Sequence, residues 1–227
     1  MNPLETVCLD KVDGFIFDMD GTLYSSKKMN FLMAIDIFIY HVIHPFSLYN
    51  IYIIYTFRKH RESITTIEHD LESCQYKKIA IILNIEERRV REVVDTWILR
   101  RPLSYIYFCR YKQAEPLFRV IAKNNKKIII SSEYPVEKKL NALKLFSDLN
   151  ICSLDSSIDA FKPDPKNFVY AAENLNISPS HFLVIGDRED KDGNCARQSG
   201  MSFINIKNKQ EYTFKKLTEY FQKTPSI

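Results

Sequence analysis

Read from the amino terminus, the chain first gathers apolar residues at Val12–Phe17, a run too short for a helix that stops at Asp18. Such a run, bounded by polar residues, predicts a strand buried on both faces. From Ser25 to about Lys112 the texture is helical, with long apolar stretches and no two-residue alternation. Beyond it the pattern changes. "KKIIISS" (126–132) and "HFLVIGD" (181–187) predict buried strands, and "NICSLDSS" (150–157) and "SFINI" (202–206) weaker ones. Helices are predicted between them. One covers "PVEKKLNALKLFSDL" (135–149), with Pro135 at its first position and Val136, Leu140, Leu143 and Phe146 on one face. Another follows the prolines of "PDPKNFVYAAENLNI" (163–177), and a short third one, "DGNCARQSGM" (192–201), ends at Gly200. Strands alternating with helices at this spacing predict an α/β fold, a Rossmann-like parallel sheet with crossover helices. The core is then split, residues 1–24 rejoining 113–206 across an all-helical insert at 25–112, with 207–227 a terminal helix or tail.

Composition adjusts this picture in three places. Hydrophobic residues make up 45% and charged residues 26% of the 227, which is ordinary for a folded domain. The net charge of +4 gives no reason to expect nucleic acid. Its distribution is uneven, however. The insert carries 14 Lys and Arg against 9 Asp and Glu, the remainder 18 against 19, and the insert holds 8 of the 13 tyrosines. A basic, aromatic-rich lobe suggests an anionic partner, or else the solvated faces of helices. Within it, Ile37–Phe57 is 21 residues without a formal charge, followed by "RKHR". A bilayer span has this length. Yet a single span would strand Asp18 on the opposite side from the later core strands, so two helices broken near Pro45 are expected, packed within the insert or lying on a membrane surface.

Five widely spaced cysteines with no C-x-x-C pair argue against zinc and disulfides and for reduced thiols in a cytoplasm-like compartment. "MNPLETVCLDKVDG" lacks a basic region followed by an apolar one, so a soluble, cytoplasmic protein is expected, although non-classical export would leave no such mark. Of only five glycines, Gly21, Gly186, Gly193 and Gly200 lie in two short segments, where special backbone geometry is expected.

Open parallel sheets bind ligands beyond the carboxyl ends of their strands. The predicted strands end in Asp18-Met19-Asp20-Gly21-Thr22, in Ser131-Ser132, near Lys162 of "FKPDP", and in Asp187 followed by Arg188-Glu189-Asp190-Lys191-Asp192. Carboxylates, hydroxyls and an ammonium make a site suited to a cation and an oxyanion together.

The order "DMDGTL", an apolar strand ending in Ser, "KPDP" and "VIGDREDKDG…ARQSGM" resembles the haloacid dehalogenase (HAD) superfamily of phosphohydrolases, and the insert resembles its helical cap. The short interval between Ser131 and Lys162 leaves no room for the family's other cap position. The resemblance implies a Mg²⁺-dependent phosphomonoester hydrolase acting through an aspartyl-phosphate. Asp18 would be the nucleophile, Asp20 the general acid and base, and Lys162 the cation that offsets the charge of phosphate and Asp18. Gly21, Thr22 and Ser131 would bind the phosphoryl group, with Ser132 as an alternative or additional contact. Mg²⁺ would be held by Asp18, the backbone carbonyl of Asp20, Asp187 and a second acidic residue of the last motif. Asp192 matches that position best and Asp190 is the alternative. "EYP" after Ser132 departs from the Asn common in relatives, and the cap sequence implies no substrate class. The dehalogenase branch fits less well, because a departing halide takes no proton from Asp20. Partners expected on this reading are a phosphorylated small molecule or a phosphoprotein, with phosphotyrosine and an anionic membrane surface as variants. A phosphomutase on the same core is a further alternative.

Overall fold

The structure is a computed structural model that describes residues 7–62 and 70–223. Residues 1–6, where no secretory signal is expected, lie outside the described residues, as do 63–69 of the insert and 224–227 of the terminal segment. The chain divides into two compact units, one of Met1–Ser26 with Cys109–Ile227, the other of Lys27–Phe108.

The first unit is built on five strands, β1 (Gly14–Asp18), β2 (Lys127–Ser132), β3 (Leu149–Cys152), β4 (Phe182–Gly186) and β5 (Ser202–Asn205). Their order is β3-β2-β1-β4-β5 and every pairing is parallel. Parallel neighbours cannot be joined by tight turns, and the helices Glu137–Ala142, Lys166–Leu175 and Asn194–Gln198 make the returns. The order reverses direction at β1, which places β1 and β4 at the switch point of the sheet.

Strand β1 shows how its sequence fills two cores at once. Phe15 and Phe17 point to one side, where Phe17 meets Phe118 and Phe214 at centroid distances of 4.8 and 6.2 Å and Phe15 meets Phe221 at 5.6 Å. Ile16 points to the other, into a cluster with Ile129, Phe168, Val184 and Cys195. The period of two puts successive side chains on opposite faces, so an unbroken apolar run is what a doubly covered strand requires. The terminal segment 207–227 contributes a helix, Gln210–Lys223, that packs on helix Ala114–Lys123 and supplies Phe214 and Phe221 to the first face.

One predicted helix is shorter than expected. The 135–149 segment is helical only over Glu137–Ala142, and Pro135 lies before it rather than at its first position. Lys144 adopts a left-handed φ of 55°, and the Leu145 N–H donates back to the Leu140 carbonyl at 3.1 Å. This closure ends the helix and turns Leu145 into the core, leaving Phe146 beyond the helix and edge-on to Phe118.

The second unit is helical throughout its described residues, with helices Ser26–Ile43, Tyr49–Glu62, Leu71–Leu83 and Glu87–Val94. The uncharged 37–57 stretch is broken by a turn at Pro45–Ser47, where proline lacks the N–H a continuing helix needs. No helix among the described residues is long and apolar enough to cross a membrane. Ile53, Phe57, Ile79, Val90 and Val94 form the interior of this unit.

Removing the ring at the centre of the aromatic face should cost far more than removing one at its edge. Phe17→Ala is expected to lower stability by about 3–5 kcal/mol and half-exposed Phe146→Ala by about 1 kcal/mol or less. Urea unfolding of both variants measures this, and equal losses would contradict the packing described.

Candidate active site

Asp18 is the last residue of β1 and stands in register with Ser131 of β2. Asp187 directly follows β4. Asp192 arrives from the turn Glu189–Gly193, and Lys162 from the segment between β3 and helix Lys166–Leu175. Carboxylate oxygens of Asp18, Asp187 and Asp192 all lie within 4.8 Å of one another. Lys162 Nζ donates to Asp18 Oδ1 at 2.8 Å, to Asp192 Oδ1 at 2.9 Å and to the Ser131 carbonyl at 3.1 Å.

This cluster is charge-crowded. Burial is the main force raising the Asp18 pKa to about 8, with Asp192 adding to it and Lys162 working against it. Burial and Asp192 likewise push Asp187 up. Burial pulls the Lys162 ammonium down, but Asp18 and Asp192 outweigh it and hold the group above its ordinary value. One ammonium cannot neutralise three ionised carboxylates, and Asp187 Oδ1 is buried with no hydrogen-bond partner among the described residues. Hard oxygen donors, surplus negative charge and an orphaned carboxylate oxygen fit a divalent cation of the Mg²⁺ kind.

Two glycines let these groups approach. At Gly186 a Cβ would come within 2.4 Å of Asp192 Oδ2, so only glycine at the end of β4 admits that carboxylate. Gly21 has a φ of +98°, and a Cβ there would stand 2.4 Å from Asp187 Oδ2. Its carbonyl accepts a bond from Gln210 Nε2 at 2.9 Å, which ties the loop after β1 to the terminal helix. Asp190 points elsewhere and pairs with Arg188 at 2.8 Å on the surface.

The Asp20 carboxylate is not among the three clustered groups. It is instead gripped by Lys139, whose Nζ donates to Oδ1 at 2.7 Å and Oδ2 at 3.0 Å, and by the Tyr24 hydroxyl, which donates to Oδ1. The loop itself sets Tyr24 in place, with the Leu23 N–H on the Met19 carbonyl at 3.0 Å and bridges pairing Tyr24 to both Asp20 and Arg110. Lys139 is buried, 4.9 Å from the centroid of the Tyr134 ring. Neither Lys139 nor Tyr24 is an expected site residue from the sequence. Tyr24 had a local signal, four residues after Asp20. Lys139 had none, since it stands beside Lys138 in a helix and only packing buries one and exposes the other.

Thr22 and Ser131 are buried with hydroxyls that have no partner among the described residues. Ser132 Oγ accepts the Tyr134 N–H at 3.1 Å and so shapes its loop. The uncommitted hydroxyls beside Asp18, together with the buried ammonium, offer donors that an oxyanion could use.

Comparison with known proteins gives the same direction. The sequence matches the haloacid dehalogenase-like hydrolase family over residues 12–200. A glyceraldehyde 3-phosphate phosphatase of Methanopyrus kandleri is 37% identical over 54 residues, 24% of this chain and 23% of that protein, so the matched part spans under a quarter of this curated relative. A 2-haloacid dehalogenase from Pseudomonas syringae superposes with a TM-score of 0.62 at 15% identity, covering 86% of each chain. A β-phosphoglucomutase from Clostridium difficile superposes at 0.58 and 19%, covering 93% of this chain and 99% of its own. These two likenesses show the fold.

Thermal melts with and without Mg²⁺ separate the acidic residues. At about a hundredfold excess over Kd, Mg²⁺ should raise the wild-type Tm by about 5–10 °C. Asp190→Asn should keep that rise, whereas Asp192→Asn and Gly186→Ala should lose most of it. The reverse ranking would remove Asp192 from the cation site.

Proposed function

Because the chain belongs to the haloacid dehalogenase-like hydrolases, we propose that it is a Mg²⁺-dependent phosphomonoester hydrolase working through an aspartyl-phosphate on Asp18. The observation that carries this reading is the trio Asp18, Asp187 and Asp192 closed by Lys162, with Asp20 two residues from Asp18 and separately clamped. Asp18, Asp187, Asp192 and the Asp20 carbonyl would hold Mg²⁺. When bound, the ion supplies charge neutralisation between the attacking carboxylate and the phosphoryl oxygens.

A free oxygen of Asp18 attacks phosphorus, and the bond to the ester oxygen breaks with its electron pair. That oxygen takes the proton carried by Asp20. Water then gives a proton to Asp20 and attacks phosphorus, releasing inorganic phosphate and restoring the Asp18 carboxylate. The Ser131 and Thr22 hydroxyls donate to the phosphoryl oxygens, and Lys162 balances the added charge. Lys139 and Tyr24 fix the orientation of the Asp20 carboxylate. The helical unit Lys27–Phe108 is read as the family's cap, where the choice among phosphorylated small molecules or proteins would reside.

Phosphate release from an aryl phosphate, with Mg²⁺ or with EDTA, tests the chemistry. Turnover should require Mg²⁺, vanish in Asp18→Asn, and fall about 10²–10⁴-fold in Asp20→Asn. Failure of the wild type both to turn over and to bind beryllium fluoride, a mimic of the phosphorylated aspartate, would falsify the reading. Phosphate passed to a second sugar hydroxyl instead of water would make the protein a mutase. Lys139→Met should lower kcat with little change in KM and leave the Mg²⁺-induced rise in Tm intact. An unchanged kcat would make Lys139 a packing residue only.

A further inference from the structure

Helix Ser26–Ile43 buries one face within its own unit. Met29 and Met33 are buried, Tyr40 and His41 lie 5.0 and 5.3 Å from the Trp97 ring, and Asp36 pairs with Arg101. The opposite face is apolar as well. Phe31, Ile35, Phe38, Ile39 and Val42 recur at the three- and four-residue spacing of a single helical face, and all five are exposed. Single exposed apolar residues are ordinary, but a continuous row about 17 Å long is a surface built for contact. Phe46 in the turn, whose relative exposure reaches 104%, and Tyr52 and Tyr55 on the next helix are exposed as well.

The charge pattern identifies the partner. No formally charged residue occurs from Ile37 to Phe57, while Lys27 and Lys28 at the start of the first helix and Arg58 and Lys59 near the close of the second all lie away from the turn. There Arg58 Nη2 comes back to Met33 Sδ at 3.3 Å and makes the two helices a hairpin. Residues 26–62 carry five Lys and Arg against two Asp and Glu, and one of the two, Asp36, is already paired with Arg101. A second copy of this chain would bring the same positive charge to the contact. It would also have to accommodate a turn whose leading side chain, Phe46, stands fully exposed. A fluid anionic surface meets both demands, since acyl chains adapt to any contour and headgroups supply negative charge to the cations at the open end of the hairpin. We propose that this hairpin docks in the plane of an anionic lipid bilayer. Phe46 and the apolar row enter the acyl boundary, and the tyrosines and terminal cations sit at headgroup level. The proposal is independent of the chemistry at the carboxylates and agrees with the lack of any described helix able to cross a membrane.

Cosedimentation of the full chain with phosphatidylcholine vesicles, with and without phosphatidylglycerol, tests it. Binding to the anionic vesicles should exceed binding to phosphatidylcholine alone by about tenfold or more, and should weaken as salt rises from about 0.05 to about 0.5 M. The double variant Phe38→Ser/Phe46→Ser should bind about tenfold or more weakly with an unchanged Tm, since both positions are exposed. Lys59→Glu should bind severalfold more weakly. The proposal is overturned by no binding to anionic vesicles at low salt, or by a double variant that binds like wild type. It is also overturned if sedimentation velocity finds a dimer that the double variant abolishes while vesicles are ignored, which would assign the face to a second copy.

Discussion

Three carboxylates at the ends of β1 and β4 repel one another inside a protein, and a single buried ammonium is what lets them stay there. Lys162 bonds to two of them and to the backbone of β2, so it joins three strand ends at once. A charge buried this deeply survives only when paired, and so do the carboxylates. The surrounding choices follow from that knot. Glycine ends β4 because Asp192 occupies the space a Cβ would take, and glycine follows Asp20 because Asp187 does the same there. Neutrality is still incomplete. The remaining negative charge is the physical reason the cluster suits a divalent cation, and burial first, with the Asp192 charge adding to it, makes Asp18 and Asp187 hold protons more readily than ordinary carboxylates.

Asp20 belongs to a second, separate balance. Its partners Lys139 and Tyr24 come from the helix after β2 and from the loop after β1, and neither touches the Lys162 knot by any described bond. Two neighbouring carboxylates thus have different cations. On the proposed mechanism, the first environment concentrates negative charge for a metal and for attack on phosphorus, and the second holds a lone carboxylate in place for proton transfer. Two acids with distinct environments is the arrangement that acid–base division of labour needs.

The helical unit presents a different economy of charge. It forms local ion pairs, as Arg91 does with Glu87 and Glu72, yet leaves a row of large apolar side chains in water. A sheet-building core could not tolerate such a row unpaired. Under the proposed docking the row is tolerated, because the energy of exposure would be recovered on contact with lipid.

Much of the core was legible from local pattern. Unbroken apolar runs such as Ile128–Ile130 and Leu183–Ile185 can only be doubly buried strands when helices flank them, and the polar residues that stop each run must emerge at the same edge of a parallel sheet. Asp18, Ser131 and Asp187 therefore declared their neighbourhood through position alone. The length of the 137–142 helix was not legible, because a left-handed Lys144 leaves no mark in apolar spacing. Nor was the choice between Lys138 and Lys139, or the exposure of Phe31 and Phe38, since a helix apolar on all sides reads as buried. Periodicity and strand ends are properties of neighbouring residues and were determined by the sequence itself. The Lys139–Asp20 bond joins residues 119 apart, and the inward turn of Asp192 depends on the empty space above Gly186. Those were decided by tertiary packing, which alone sets which of several equivalent charges loses its water and must find a partner.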